Sequence, residues 1–198
     1  MHGGRRIGPG ALGEQFDHVL AAARTGAGWA AERLWRTLAP SVAGYLRAQG
    51  SAEPDDLTSE VFVGVFRNLG SFAGDEERFR SWVFTIAHRR LLDERRRAAR
   101  RPHPAAAVAD PGRAHAAPEV APSAEAEALG RLGADGVRRI CDRLAADQRD
   151  VLVLRLVGGL TVEEVAAAVG KSPGAVKALQ RRAVEALRRI LQHQGVPL

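Results

Sequence analysis

Cysteine is nearly missing: Cys141 is the only one in 198 residues. That excludes an intramolecular disulfide and any zinc site built from several cysteines, and a reducing compartment fits. Aromatic residues make up 5% of the chain, and no run alternates apolar with polar groups, so the signals of a sheet protein are absent. No stretch approaches the roughly eighteen uncharged apolar residues of a membrane span. Lysine is scarce too, with Lys171 and Lys177 alone among 29 basic residues. Arginine supplies the rest, a bias that a genome rich in G and C produces whatever the protein does.

What remains is helical spacing almost throughout, so the expected fold is all-α. The length allows two small domains. Residues 102–123, "PHPAAAVADPGRAHAAPEVAPS", hold five of the ten prolines. Proline removes backbone donors and fixes φ, and too few large apolar groups accompany it to build a core, which predicts a semi-extended, flexible linker. The chain then divides into a flexible N-terminal tail over 1–24 leading into a first helix, a helical domain over 25–101, the linker over 102–123 and a second helical domain over 124–194. Arg5 and Arg6 resemble the pair of a twin-arginine export signal, but Gly, Pro, Glu and Asp interrupt what should be its apolar core. A cytoplasmic protein without membrane insertion is expected.

Charge subdivides the first domain. From Ser51 to Phe79, Glu53, Asp55, Asp56, Glu60, Asp75, Glu76 and Glu77 face only Arg67 and Arg78, a net of −5. From Arg80 to Arg101 eight arginines oppose Asp93 and Glu94, a net of +6. Adjacent segments of opposite sign suggest two surfaces for two partners. Acids in the first turns of a helix also complement its dipole, which by itself accounts for Glu53, Asp55 and Asp56. A metal or acid-base site at Asp55, Asp56 and Glu60 lacks a histidine or further carboxylate at ligand spacing. In the basic segment Trp82 and Phe84 stand among arginines, a pairing that suits stacking on unpaired bases and tracking a backbone, although a Trp at a helix start also serves as core.

The second domain contains "VGKSPG", Val169 to Gly174. Gly170, Lys171 and Ser172 match the end of a phosphate-binding loop, but that loop needs a glycine where Val165 stands and a buried strand before it. Leu160, Val162, Val165 and Val169 instead repeat at helical spacing. Gly170 suits the left-handed end of a helix, Ser172 an N-cap and Pro173 a first helical position. One helix closes and another opens within a few residues, the geometry of a helix-turn-helix. The second helix should bury Val176, Leu179, Ala183, Leu187 and Ile190, with Ala166 where the two helices cross. Lys177, Ala178 and Arg181 would then face bases, with Lys171, Ser172 and Arg182 on phosphates. A solvated basic face is the plainer account of the same charges.

Leu144 to Leu191 resembles region 4 of the sigma-70 family of transcription initiation factors, in particular the extracytoplasmic-function (ECF) group. Leu144, Arg149, Val151, Leu154, Arg155, Gly159, Leu160, Glu164, Ala166, Gly170, Ser172, Gly174, Val176 and Lys177 carry the likeness. Ala175 and Ala178 replace the usual hydroxyl residues, and Leu179 and Gln180 stand where Arg-Leu is commoner. Glu53 to Arg101 is similar to the family's region 2 through Asp56, Leu57, Glu60, Phe62, Phe79, Arg80, Trp82, Ile86, Ala87 and Asp93, with Arg89 at the usual Asn position. Both regions in this order cover roughly 27–101 and 124–193.

The resemblance implies an initiation factor without catalytic, metal or cofactor sites, whose partners are core RNA polymerase and promoter DNA. It implies polymerase docking through Asp55, Asp56, Leu57, Glu60 and Phe62. A loop with Asn68, Leu69, Ser71 and Phe72 would receive a base flipped from the minus-ten element, beside Arg80, Trp82, Arg89 and Arg90. The helix from Pro173 would read the minus-thirty-five element with Lys171, Ser172, Lys177, Ala178, Arg181 and Arg182. Many relatives are held by an anti-sigma factor, which the resemblance offers as a further partner. A stand-alone helix-turn-helix regulator is the alternative; it would bind duplex DNA without polymerase.

Overall fold

The computed structural model describes residues 12–100, 138, 139 and 141–193. The expected linker, 102–123, lies outside the described residues. Seven α-helices occupy the described parts: α1 (Phe16–Arg24), α2 (Gly28–Ala48), α3 (Pro54–Arg67), α4 (Glu76–Arg100), α5 (Ala146–Leu156), α6 (Val162–Val169) and α7 (Pro173–His193). The expectation of a tail up to residue 24 fails for its second half. A 3-10 turn over Gly13–Gln15 runs into α1, because Phe16, Val19 and Leu20 share one face and are buried.

α3 starts where proline is tolerated, with Pro54 in its first turn beside Asp55 and Asp56. It buries Leu57, Val61, Phe62 and Val65 and packs against both α2 and α4. The Asn68 side chain donates to the Gly64 carbonyl at 2.8 Å, closing the end of α3. A 3-10 turn over Leu69–Ser71 leads to Phe72 in extended conformation. Asp75 then caps α4, its carboxylate accepting the Arg78 amide at 2.9 Å. Along α4, Phe79, Val83, Phe84, Ala87, His88 and Leu91 are buried at three-and-four spacing.

The three C-terminal helices pack on one another, and they also pack on the first block. α6 lies against α4 and α5 against α2. One apolar cluster runs from Leu12 through Phe62 and Leu91 to Val165, Val176 and Leu179, with a smaller one of Leu144, Leu152, Ala183 and Ile190. Gly44 of α2 faces the Val157 side chain at this junction; a Cβ there would stand 3.7 Å from it, an ordinary contact.

A candidate nucleic-acid interface and its supports

The helix-turn-helix is built from local chemistry. Thr161 caps α6 through a reciprocal box: its hydroxyl accepts the Glu164 amide at 3.2 Å, and the Glu164 carboxylate accepts the Thr161 amide at 2.7 Å. Gly170 ends α6 at φ 67° and ψ 34°, left-handed angles that glycine adopts without a Cβ clash. The Lys171 amide donates back to the Ala166 carbonyl at 3.0 Å. Ser172 then caps α7, its hydroxyl accepting the Ala175 amide at 3.2 Å. Just before α6, the Arg155 guanidinium donates to the Leu160 carbonyl. Gly158 is required there, since a Cβ would lie 2.6 Å from the Leu154 carbonyl oxygen.

α7 buries Val176, Leu179, Ala183 and Ile190. That leaves Lys177, Arg181 and Arg182 exposed and Ala178 half-buried. Lys177, Gln180, Arg181, Val184, Glu185 and Arg188 line a shallow open groove along the helix. Ser172 is exposed, while Lys171 is tied to Asp147 at 3.0 Å. The exposed Ser172 at the start of α7 and the exposed cations Lys177 and Arg181 on its following turns are groups suited to phosphates and base edges.

The loop after α3 divides by side chain. Asn68 and Ser71 are exposed, with the Ser71 hydroxyl donating to the Asn68 carbonyl at 2.8 Å. Leu69 and Phe72 turn inward. Phe72 packs on Phe79 edge-on and on Trp82, ring centroids 5.2 Å apart in each case. Trp82 is half-buried, so it is part of this aromatic floor with one side open. Arg80 is also half-buried; burial lowers its pKa and Glu76 opposes that. Arg89 is exposed, whereas the Arg90 guanidinium sits over Gly64 of α3.

On α3, Asp55, Asp56 and Glu60 are exposed. Asp55 is held by Arg47 at 2.5 Å. Leu57 and Phe62, expected at a partner surface, are 4% and 1% exposed and belong to the core. Both are apolar, and helical periodicity sets them on the opposite side from the acids. Missing from the sequence reading is Val63, 46% exposed and in line with Asp56, Glu60 and Arg67. A single exposed valine among charges carries little signal in a sequence.

Equally hidden in the sequence is a polar cluster where the two blocks meet. Arg95 of α4 donates to the Gln49 backbone and side-chain oxygens, each at 2.9 Å, and stands 3.5 Å from Asp150 of α5. Tyr45 Oη and His88 Nδ1 are 2.9 Å apart beneath it. Burial raises the Tyr45 pKa well above its ordinary range, with Asp150 adding to the effect. Burial also lowers that of His88, against the pull of Asp150. Arg95, read in the sequence with the strand-tracking arginines, is thus turned to the interior. Among the described residues no cluster of three or more His, Cys, Asp or Glu could hold a metal, and no helix is long and apolar enough to cross a membrane.

The sigma-70 region 2 model matches residues 34–101 and the sigma-70 region 4 model residues 142–189. Among characterised proteins the chain is 34% identical to the ECF RNA polymerase sigma factor SigD of Mycobacterium tuberculosis, over 89% of this chain and 84% of that one. It is 35% identical to the ECF RNA polymerase sigma factor BldN of Streptomyces coelicolor, over 74% and 54%. In fold it is similar to CnrH in complex with the cytosolic domain of CnrY, with a TM-score of 0.65 and 24% identity over 91% of this chain and 99% of that one. The sigma factor RpoE of Bartonella quintana, in complex with the anti-sigma factor NepR, follows at TM-score 0.58 and 19% identity, over 81% and 96%. With both regions matched in order, and the helices that carry them in place, the chain belongs to the sigma-70 family as an ECF sigma factor.

Proposed function

We propose that this chain binds core RNA polymerase and directs it to promoters through two grips on the same DNA. The observation that carries this is the joint presence of the exposed cationic start of α7 and the region 2 loop resting on an aromatic floor, in one chain of the sigma family. The exposed face of α3, Asp56, Glu60, Val63 and Arg67, docks on the polymerase, and Leu57 and Phe62 hold that helix in place from behind. Asn68 and Ser71 meet the flipped minus-ten base above Leu69 and Phe72, while Arg80, Trp82 and Arg89 follow the strand. Extruding a base costs a few kcal/mol, which contacts in this loop must return. Lys177, Ala178 and Arg181 read the minus-thirty-five element, with Ser172 and Arg182 on phosphates; Lys171 joins them by exchanging Asp147 for a phosphate.

Region 2, residues 25–101, and region 4, residues 124–194, then act as separate grips. The 22 residues of 102–123 are long enough to reach about 70 Å at most. Bond making belongs to the polymerase; the factor supplies binding. One structural relative, RpoE, is in complex with the anti-sigma factor NepR, and an anti-sigma protein is the antagonist expected here.

In vitro transcription with purified core enzyme and a promoter library tests the whole reading. The expected result is initiation at a defined set of promoters that requires both chain and polymerase. Tight, sequence-specific shifting of duplex DNA by the chain alone would instead identify a stand-alone regulator.

A further inference from the structure

We propose that Arg24, outside both matched regions, is a positioning residue for the base-capturing loop and through it a determinant of minus-ten specificity. This rests on the proposed role of that loop. Arg24 is the last residue of α1, and its guanidinium spans the loop's two ends, donating to the Phe72 carbonyl and, at 3.4 Å, to the Leu69 carbonyl. These two carbonyls bracket the 3-10 turn Leu69–Ser71. The guanidinium does this with two donors set in a fixed plane, Nε on one carbonyl and Nη2 on the other, so it fixes their separation more firmly than a rotating ammonium would.

The rest of the N-terminal segment is fastened to the same place. The Glu76 carboxylate, at the start of α4, accepts the Leu12 and Gly13 amides at 2.5 and 2.8 Å. Phe16 of α1 packs on Phe79 with ring centroids 5.6 Å apart, and Phe79 in turn supports Phe72. Residues 12–24 therefore form a strap that crosses beneath the loop, held at its beginning by Glu76 and at its end by Arg24. The apolar part of the strap is buried and keeps the fold. Arg24 itself is exposed, so its removal frees the loop without opening the core.

A loop held in shape before the base arrives pays less ordering entropy on capture. Ser71, carried by the turn, keeps a fixed position relative to Asn68, which is itself bound to the end of α3 through Gly64, only while both ends of the turn are tied. Loss of Arg24 should thus blur the choice among bases more than it weakens the complex with polymerase.

The experiment uses holoenzyme assembled from the full chain, and promoters carrying each of the four bases at the captured position. Run-off transcription and the fluorescence of a 2-aminopurine probe beside that position are the readouts. For Arg24→Ala the ratio of preferred to other bases should fall by about tenfold, the scale of a lost charge-assisted hydrogen bond. Arg24→Lys should recover part of it, and the thermal midpoint of the free protein should be unchanged. The double variant Asn68→Ala, Ser71→Ala should also lose the preference. If that double variant keeps the preference, the loop does not read the base and this proposal falls with it. If it loses the preference while Arg24→Ala keeps it, the loop reading stands and the role of Arg24 is overturned. Equal loss at all four bases in Arg24→Ala, or a lowered thermal midpoint, would make Arg24 merely structural and overturn the proposal as well.

Discussion

Neighbouring residues of α3 have opposite fates, and substitutions should separate them. Asp56 and Glu60 are exposed whereas Leu57 is in the core. Reversing the charge at Asp56 and Glu60 to Lys should lower affinity for core polymerase and leave thermal unfolding within about 0.5 kcal/mol of wild type. Leu57→Ala should do the reverse, costing roughly 2 to 5 kcal/mol of stability through the cavity it leaves. Binding measured by fluorescence anisotropy beside a denaturant titration decides both. On α7, Lys177→Ala and Arg181→Ala should each weaken promoter recognition by about 1 to 3 kcal/mol, with a loss of discrimination at the minus-thirty-five element if they touch bases. A uniform loss across sequences, with a shallower dependence on salt, would place them on phosphates instead. From sequence alone the exposed member of each such pair was legible, because periodicity sorts a helix into faces. What Arg95 and Arg24 do was not, since their partners lie 55 and 48 residues away.

Elements whose ends are set by local chemistry were the most readable. The stop at Gly170 and the start at Ser172 and Pro173 need nothing beyond their neighbours, and the α6–α7 turn follows from them. The capping box at Thr161 and Glu164 carries an equally local signal, a hydroxyl residue followed three places on by Glu, and could have been found the same way. Thr161→Ala should destabilise the C-terminal block by about 1 kcal/mol, seen as a lower midpoint in thermal unfolding. α2 shows the opposite case. Pro40 lies inside that helix, where proline normally forces a break. The buried row of Leu34, Leu38, Val42 and Tyr45 runs past it unbroken, and Pro40 itself is exposed, leaving solvent to satisfy the carbonyl it orphans. Tertiary packing overrides local preference there. The early start of α1 escaped notice for a related reason: a short helix gains its stability from the strap contacts rather than from its own residues.

Across the whole molecule, the closeness of the two blocks could not be read from either alone. His88 lies at this junction, faced by Tyr45 from α2, Arg95 from its own helix and Asp150 from α5. Its pKa is lowered on folding, so the folded state prefers it neutral. Stability should accordingly be full above the ordinary histidine value of about 6.5 and be lost as pH falls from there through the lowered folded value, with a slope no steeper than about 1.4 kcal/mol per pH unit. Thermal melts between neutral and mildly acidic pH check this, and His88→Gln should flatten that part of the profile.

The Arg95 clasp has an outcome that ionic strength can expose. Its charges are partly withdrawn from solvent, Asp150 showing 11% of its side chain and Arg95 34%, and such a pair is screened less than exposed charges are. DNA held by phosphate contacts, in contrast, is shed steeply as counterions are added. Moderate brine should therefore strip promoter DNA from this protein well before it unfastens one half of the free chain from the other.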